Sequence, residues 1–290
     1  MSAPIPSKAA AYLELTKPGI TRLVLVTTAA GFYLAGGASA SLLLFLHALF
    51  ATALVASGTN ALNQWFERDA DRYMRRTARR PLPSGRLSSR EAVVFAWGIS
   101  LAGLVYFALF VNMLTAFVVG FTLGTYVFIY TPLKRKTWIS TLVGAVPGAL
   151  PIVAGWTATG KPLTASAWAL FAIMFVWQLP HFFALAWIYR EDYRKAGFQM
   201  LTVVDSTGGR AAWQSLFYAA VLIPISLLPT AFGLTGQIYL AGALVLGVAF
   251  LLPTVLMLTR GPNEKFAWRT FVASIAYLPL LLILMVIDKV

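Results

Sequence analysis

The stretch NALNQWFERDADRYMRRTARRPLPSGR, residues 60–86, ends a long uncharged run and joins a polar helix face to a basic loop. At about 100° per residue, one face of this helix carries five amide and carboxylate side chains. They are Asn60, Asn63, Gln64, Glu67 and Asp71, the polar seam. Asp69 lies on the opposite side. Such groups are costly in lipid, so we expect the seam to face a cavity, a metal or a substrate.

The composition places the seam in a membrane protein. Of 290 residues, 59% are hydrophobic and 11% are charged, which is more apolar surface than a soluble domain of this size hides. Uncharged runs lie at about 20–38, 42–65, 92–132, 139–158, 166–189, 212–232, 237–258 and 268–287. A crossing needs about 20 residues, so the 92–132 run contains two helices with a turn near Asn112. We predict an all-α polytopic membrane protein with nine transmembrane helices.

The basic residues predict the orientation of this bundle. Of 23 Lys and Arg residues, all but Lys161 and Lys289 lie in the N-terminal segment or in the loops after the second, fourth, sixth and eighth helices. Basic loops remain in the cytoplasm, so the N-terminus is expected there and the C-terminus on the opposite side. A count of eight helices would put basic loops on both sides. We expect one intramembrane domain over residues 1–290, with a polar N-terminal segment at 1–15.

Charge and cysteine content exclude several function classes. The net charge of +13 follows from topology and anionic lipid, so no nucleic-acid partner is expected. The chain has no cysteine, which excludes thiolate nucleophiles and thiolate ligands, so any metal is held by oxygen or nitrogen. The absence of a transit peptide favours the bacterial inner (cytoplasmic) membrane, with the active-site loops on the cytoplasmic side.

The loop at about 66–91 suits a phosphate ligand, because it carries eight arginines. Arginine presents a rigid fork of donors to phosphate oxygens, and Mg²⁺ bridges such oxygens to carboxylates. The topology of basic loops explains the arginines about as well. It does not explain Asn63, Glu67 and Asp71 at i, i+4 and i+8, whereas Mg²⁺ bound with a diphosphate does.

Two segments carry a family resemblance. Asn63-x₃-Glu67-x₃-Asp71, followed by Arg76-Thr77 and RPLPSGR at 80–86, resembles the first signature of the UbiA superfamily of intramembrane prenyltransferases, with Glu67 in place of the usual Asp. The resemblance implies a UbiA-type bundle of nine helices around a central cavity. In it, the seam binds Mg²⁺ and the diphosphate of an isoprenoid donor.

The loop at about 133–138 resembles a further segment of the family. It lies in YTPLKRKTWIST, residues 130–141, and offers Lys134 and Arg135 as diphosphate contacts. The topology of basic loops explains these two residues equally well. Lys136 is interpreted as a surface charge.

The loop at about 190–211 departs from the family pattern. The family has a second Asp-x₃-Asp pair, where this chain has Tyr189 and Tyr193, with Glu191 and Asp192 nearby. One metal ion and two are both compatible with this sequence. Further along, Asp205 in VVDSTGGR is interpreted as a loop or helix-cap residue.

The segment WQLPHFFALAWIYREDYRKAGFQML, residues 177–201, together with the two segments above, resembles the haem-farnesylating subfamily. This implies transfer of a farnesyl group from farnesyl diphosphate to a vinyl group of haem B, with addition of water, giving haem O. Haem B is then a substrate and not a permanent cofactor. The same resemblance admits a downstream haem-modifying membrane enzyme as a partner.

His181 is the histidine better placed to bind haem. It lies eight residues before Tyr189, about 12 Å inside the helix end, a depth similar to that of Asn63 relative to Asp71. If the helix extends to Asp192, His181 and Asp192 share a face, with Gln178 on the adjoining flank. Axial ligation of haem iron and hydrogen bonding across helices both account for such a histidine. His47 belongs to the far side of the membrane.

The sequence hypothesis divides the site residues into two groups. The catalytic group is Asn63, Glu67, Asp71, Arg80 and Lys134. The substrate-binding group is His181, Gln178, Arg76, Arg135, Arg190 and Asp192. Mg²⁺ on the seam would promote departure of diphosphate. Two alternatives stay open: a UbiA-type prenyltransferase acting on an aromatic or quinone precursor, and a haem-binding membrane carrier.

Overall fold

The computed structural model describes residues 7–290, which are almost entirely helical. The first five helices are α1 Lys8–Leu15, α2 Pro18–Gly36, α3 Leu42–Asp71, α4 Ser89–Phe110 and α5 Met113–Leu133. The next four are α6 Ser140–Ala158, α7 Ala165–Ile188, α8 Arg190–Lys195 and α9 Leu201–Val204. The last three are α10 Gly209–Ala231, α11 Gln237–Thr259 and α12 Glu264–Ile287. A short 3₁₀ turn, Gly37–Ser39, follows α2.

Nine of these helices, α2–α7 and α10–α12, are long and apolar enough to cross a membrane. The predicted nine transmembrane helices are thus confirmed within residues 7–290. The predicted turn at Asn112 is also confirmed, because its side-chain oxygen accepts a 2.8 Å hydrogen bond from the amide of Thr115 and starts α5. Such caps satisfy amide groups that a helix start leaves unpaired.

The long helices pack as a ring in chain order. α3 packs on α4, α4 on α5, α5 on α6 and α6 on α7, while α7 also contacts α10 and α12, and α12 returns to α2. α2 and α6 approach closely at two glycines. A Cβ on Gly155 would lie 1.9 Å from the carbonyl oxygen of Thr28, and one on Gly31 would lie 2.0 Å from that of Ile152. Among the nine membrane-crossing helices, α6 and α7 are the most buried.

α3 is the helix that carries the polar seam. It has 30 residues, about 45 Å at 1.5 Å per residue, and so exceeds the hydrocarbon core of about 30 Å. The helix runs through Glu67 to Asp71, and the arginine loop therefore begins at Arg72, later than the predicted start at 66. The seam residues keep helical spacing as far as the end of α3.

The N-terminal segment and the end of α7 differ from the sequence prediction. Residues 8–15 of the predicted polar segment form α1, whereas residues 1–6 of that segment lie outside the described residues. α7 ends at Ile188, and Tyr189, at φ −105° and ψ 21°, separates it from α8. The prediction that one helix carries His181 and Asp192 on a shared face is therefore wrong.

The basic residues are divided between the two ends of the bundle in the predicted way. Lys161 donates to the carbonyl of Ala35, and the Lys289 ammonium lies 5.7 Å from the ring centroid of Tyr33, both near the end of α2. The arginine loop lies at the other end, which we refer to as the basic end. Which end faces the cytoplasm stays a prediction.

Candidate active site

All five seam residues are buried, but they serve two purposes. Asn60 donates to the carbonyl of Thr16 at 3.3 Å and to the hydroxyl of Thr21 at 3.2 Å. Gln64 donates to the carbonyl of Leu15 at 2.8 Å. The expectation that every seam residue faces a cavity, metal or substrate is therefore wrong for Asn60, whose amide holds the turn between α1 and α2. The Gln64 amide nitrogen holds the same turn, while its Oε1 is buried without a hydrogen-bond partner.

The other three seam residues each accept a hydrogen bond from a different basic side chain. These bonds, all of 2.8 Å, are Lys17 to Asn63, Lys134 to Glu67 and Arg80 to Asp71. The three basic side chains belong to the α1–α2 turn, the α5–α6 loop and the arginine loop between α3 and α4. The structure thus brings together all five residues predicted to be catalytic and adds Lys17, which sequence reasoning missed.

The Asn63 side chain has a defined orientation. The hydroxyl of Thr131 donates to the carbonyl of Tyr126 at 2.8 Å and accepts from the Asn63 amide nitrogen at 3.3 Å. A hydroxyl has one hydrogen, so this pattern turns the Asn63 oxygen toward Lys17. Thr131 reaches this position because Thr125–Tyr130 of α5 forms a π-helical turn, a feature frequent at functional sites.

Lys17 occupies an unusual backbone position. At φ 48° and ψ 67°, it is the only residue other than glycine with positive φ among residues 7–290. Such a conformation costs of order 1–3 kcal/mol and persists where surrounding contacts hold it. Asn60 and Gln64 supply those contacts. Burial and the neighbouring Arg80 lower the pKa of Lys17 to about 7. The available sequence signal was a charged residue directly before Pro18, at a helix start.

Lys134 is held from several directions. Its ammonium lies 4.4 Å from the ring centroid of Tyr130. Its carbonyl accepts a 2.8 Å hydrogen bond from the amide of Gln199, which ties the α8–α9 loop to the site. Burial opposes the charge, yet the Glu67 carboxylate holds the pKa of Lys134 well above its usual value. Glu67 therefore stabilises the charged form of Lys134.

Asp71 supplies a buried acceptor that the protein leaves free. One carboxylate oxygen accepts from Arg80, while Oδ1 is buried without a hydrogen-bond partner. No group of three or more His, Cys, Asp and Glu side chains within residues 7–290 could hold a metal unaided. Mg²⁺ typically binds one or two carboxylates and completes its coordination with substrate phosphates and water. Asn63, Glu67 and Asp71 fit an ion completed in that way.

The basic end also has a cleft of about 450 Å³ beside the α7–α8 junction. It is lined by Arg75, Arg76, Ile188, Tyr189, Glu191 and Asp192. The Arg76 guanidinium lies 5.2 Å from the ring centroid of Tyr189. Burial raises the pKa of Tyr193, against the opposing effect of Arg76 and Lys134. Two predicted substrate contacts, Arg76 and Asp192, thus share one cleft.

Three other predicted substrate contacts make no hydrogen bond to the seam within residues 7–290. Arg135 is exposed, as is Lys136. Arg190 packs on Trp187, 4.4 Å from its ring centroid. Gln178 donates to the carbonyls of Ala145 and Met174 at 2.9 and 3.0 Å, so it fastens α7 to α6.

His181 faces α12. Its Nδ1 lies 2.8 Å from the hydroxyl of Ser274, and its ring packs against those of Trp177 and Phe271, with centroid distances of 5.4 and 4.8 Å. The imidazole is half-buried. His47 belongs to a separate aromatic group, where its Nδ1 lies 2.7 Å from the Tyr106 hydroxyl.

Asp205 is confirmed as a cap. Its two carboxylate oxygens accept from the amides of Thr207 and Arg210 at 3.1 and 2.8 Å and from the Thr207 hydroxyl. The Thr207 hydroxyl, and after it the Arg210 amide, hold the pKa of Asp205 below its usual value. The carboxylate therefore stabilises the start of α10.

The site combines three half-buried basic side chains with two buried carboxylates, so its formal charge is positive when all are ionised. Such a site attracts an anion and stabilises charge that develops on it. It lies at the end of an apolar bundle and has no cysteine. This arrangement suits departure of a phosphate leaving group, with the apolar part of the substrate inside the bundle.

Comparisons with known proteins give the following matches. The sequence profile of the UbiA prenyltransferase family matches residues 24–278. A protein named protoheme IX farnesyltransferase from Solibacter usitatus is 47% identical over 287 residues, covering 96% of this chain and 98% of that protein.

Two solved structures share the fold. A structure of digeranylgeranylglyceryl phosphate synthase superimposes with a TM-score of 0.81 at 20% identity, covering 97% of this chain and 98% of the other. A UbiA homologue from Archaeoglobus fulgidus bound to DMAPP and Mg²⁺ gives a TM-score of 0.70 at 20% identity, covering 94% and 98%.

Proposed function

The chain belongs to the UbiA prenyltransferase family, and from that premise we propose that it transfers a farnesyl group from farnesyl diphosphate to a vinyl group of haem B. Water adds in the same reaction, and the products are haem O and diphosphate. The name of the Solibacter usitatus relative supports this choice of donor and acceptor. The arrangement of Asn63, Glu67 and Asp71 against three separate bases is the observation that carries the proposal.

Diphosphate departure is the step that the seam serves. The bond between C1 of the farnesyl group and the diphosphate oxygen breaks, and its electron pair stays on that oxygen. Arg80 and Lys134 stabilise the charge that develops there, and Lys17 adds a third donor. Mg²⁺, when held by Asn63, Glu67 and Asp71, would supply a Lewis acid for the same oxygens.

Carbon–carbon bond formation follows in the apolar interior. The vinyl π electrons form the new bond to farnesyl C1, and the carbon beside the porphyrin becomes cationic. A water molecule adds to that carbon and loses one proton, which gives the hydroxyl group of the product. The apolar helix faces keep other water from the farnesyl cation before the bond forms.

The chain is a multi-pass membrane protein. We further propose that residues 1–290 form a single intramembrane domain in a bacterial inner membrane, with the basic end in the cytoplasm. The concentration of arginines between residues 68 and 90 at that end supports this orientation. Farnesyl diphosphate would then enter its site from the cytoplasmic side.

The decisive experiment is incubation of the purified protein with haem B, farnesyl diphosphate and Mg²⁺, followed by mass spectrometry of the extracted haem. We expect a haem that has gained one farnesyl group and one water. Parallel reactions omit the donor, omit Mg²⁺ or replace haem with an aromatic acid or quinone precursor. Bound but unmodified haem would indicate a carrier, and prenylation of the aromatic acceptor alone would indicate a different transferase. Either result overturns the proposal.

A further inference from the structure

Ser274 of α12 links two side chains of α7. Its hydroxyl oxygen lies 2.8 Å from His181 Nδ1 and 2.5 Å from the carbonyl oxygen of Phe271. Its own carbonyl oxygen accepts a 2.8 Å hydrogen bond from the Trp177 indole. Ser274 is fully buried. A single residue therefore contacts both His181 and the ring stacked beside it.

The proton count around Ser274 determines the tautomer of His181. A carbonyl oxygen can only accept, so the one hydroxyl hydrogen of Ser274 goes to Phe271. The Ser274 oxygen must then accept from His181 Nδ1. A neutral imidazole carries one N–H group, so Nε2 is left with its lone pair. Heavy-atom positions alone lead to this assignment.

The same contacts restrict the direction of Nε2. The Trp177 ring stacks on the imidazole with an interplanar angle of 27°, and the Phe271 ring lies against it at 32°. Rotation of the imidazole would break the Nδ1 bond to Ser274. Within residues 7–290, Ser274 is the hydrogen-bond partner that the structure gives His181. Nε2 therefore presents a lone pair in one direction from a half-buried ring.

We infer that Ser274 is a positioning residue that holds His181 as the Nδ1–H tautomer, so that Nε2 can ligate the iron of the acceptor haem. A metal-bound histidine usually donates its other N–H group to a neighbouring acceptor, and loss of that acceptor typically weakens metal binding about 10–100-fold. This inference rests on the proposed function, because haem is the acceptor there. The tautomer itself does not depend on it.

The first test is ¹⁵N NMR of haem-free protein with labelled histidine at about pH 8, where an ordinary imidazole is neutral. The chain has two histidines, and the His47→Ala variant identifies the His181 signals. We expect a protonated Nδ1 and an unprotonated Nε2. Ser274→Ala should abolish this preference while keeping the main-chain carbonyl that holds Trp177, and Ser274→Thr should restore it. An Nε2–H tautomer in the wild type would refute the inference.

The second test is titration with haem B, followed by its absorption spectrum. Ser274→Ala should bind haem about 10–100-fold more weakly, with a changed spectrum, whereas Ser274→Thr should resemble the wild type. Ser215→Ala is the matched control, since Ser215 is also fully buried and its hydroxyl donates to a helix carbonyl, that of Ala211. Unchanged affinity and spectrum in Ser274→Ala would refute the positioning role. The Nδ1–H tautomer in a wild type that binds no haem would refute ligation and the proposed acceptor together.

Discussion

The two carboxylate oxygens of Asp71 have different surroundings, because one bonds to Arg80 and the other is buried without a partner. Oδ2 accepts a 2.8 Å hydrogen bond from Arg80, while Oδ1 has no hydrogen-bond partner. A buried acceptor left unpaired costs about 1–3 kcal/mol. The unpaired Oδ1 lies at the end of α3, beside Glu67, where a bound cation would supply the missing partner.

Asp71→Asn and Glu67→Gln should each lower kcat for farnesyl transfer by about 10²–10³-fold, because each removes a carboxylate that holds the cations beside the departing diphosphate. Both substitutions preserve side-chain volume, so the helical circular dichroism spectrum and the gel-filtration profile should not change. Asp69→Asn is the matched control, since Asp69 is exposed and lies on the opposite face of the same helix. Wild-type turnover in Asp71→Asn or Glu67→Gln would contradict the site assignment.

Lys17→Met should weaken binding of diphosphate. A hydrogen bond to a charged group contributes about 1.5–3 kcal/mol, which corresponds to roughly 10–100-fold in affinity. Calorimetric titration with inorganic diphosphate and Mg²⁺ measures this directly. Lys136→Met, which removes an exposed lysine, should bind as the wild type does.

The Lys17→Gly variant separates the effect of losing the amine from the effect of backbone strain at this position. Glycine adopts positive φ without steric cost, so this variant should unfold at a higher temperature than Lys17→Met. It should bind diphosphate as weakly as Lys17→Met does. Equal unfolding temperatures would show that the left-handed backbone at φ 48° stores no strain.

The polar seam and the membrane spans could be predicted because both follow from helical periodicity and from the length of uncharged runs. Periodicity states which residues share a face, but not what meets that face. Lys17 lies 46 residues before Asn63 and reaches it through a left-handed turn. Helical periodicity indicates neither this turn nor the hydrogen bonds by which Asn60 and Gln64 support it.

The orientation of α7 side chains could not be predicted for a similar reason. The shared face of His181 and Asp192 required a continuous helix, and the break at Tyr189 removed it. Gln178 was expected to bind substrate, but the small residue Gly148 on α6 leaves room for its amide group, which bonds to the carbonyl of Ala145. Likewise, Thr131 reaches Asn63 through a π-helical turn that the apolar sequence of α5 does not indicate.

Asp205 should make the stability of the α10 start dependent on pH. Its folded-state pKa lies below the unfolded value, so the ionised carboxylate stabilises the fold above about pH 4, and this contribution is lost as pH falls through the folded-state pKa. Asp205→Asn should therefore cost about 1 kcal/mol at neutral pH. The difference in Tm between variant and wild type should narrow toward about pH 3. A difference that stays constant with pH would contradict the cap assignment.

His181→Ala should weaken haem binding at least about 10-fold and change the absorption spectrum of the bound pigment, because the variant loses the imidazole that packs against Trp177 and Phe271 and offers a nitrogen to the iron. His47→Ala is the matched control, since His47 is the second of only two histidines and contacts Tyr106 in a separate aromatic group. Affinity for diphosphate should remain unchanged in both variants, because the seam on α3 is intact in each. An unchanged haem spectrum and affinity in His181→Ala would remove His181 as the axial ligand, and with it the reason for the orientation that Ser274 imposes.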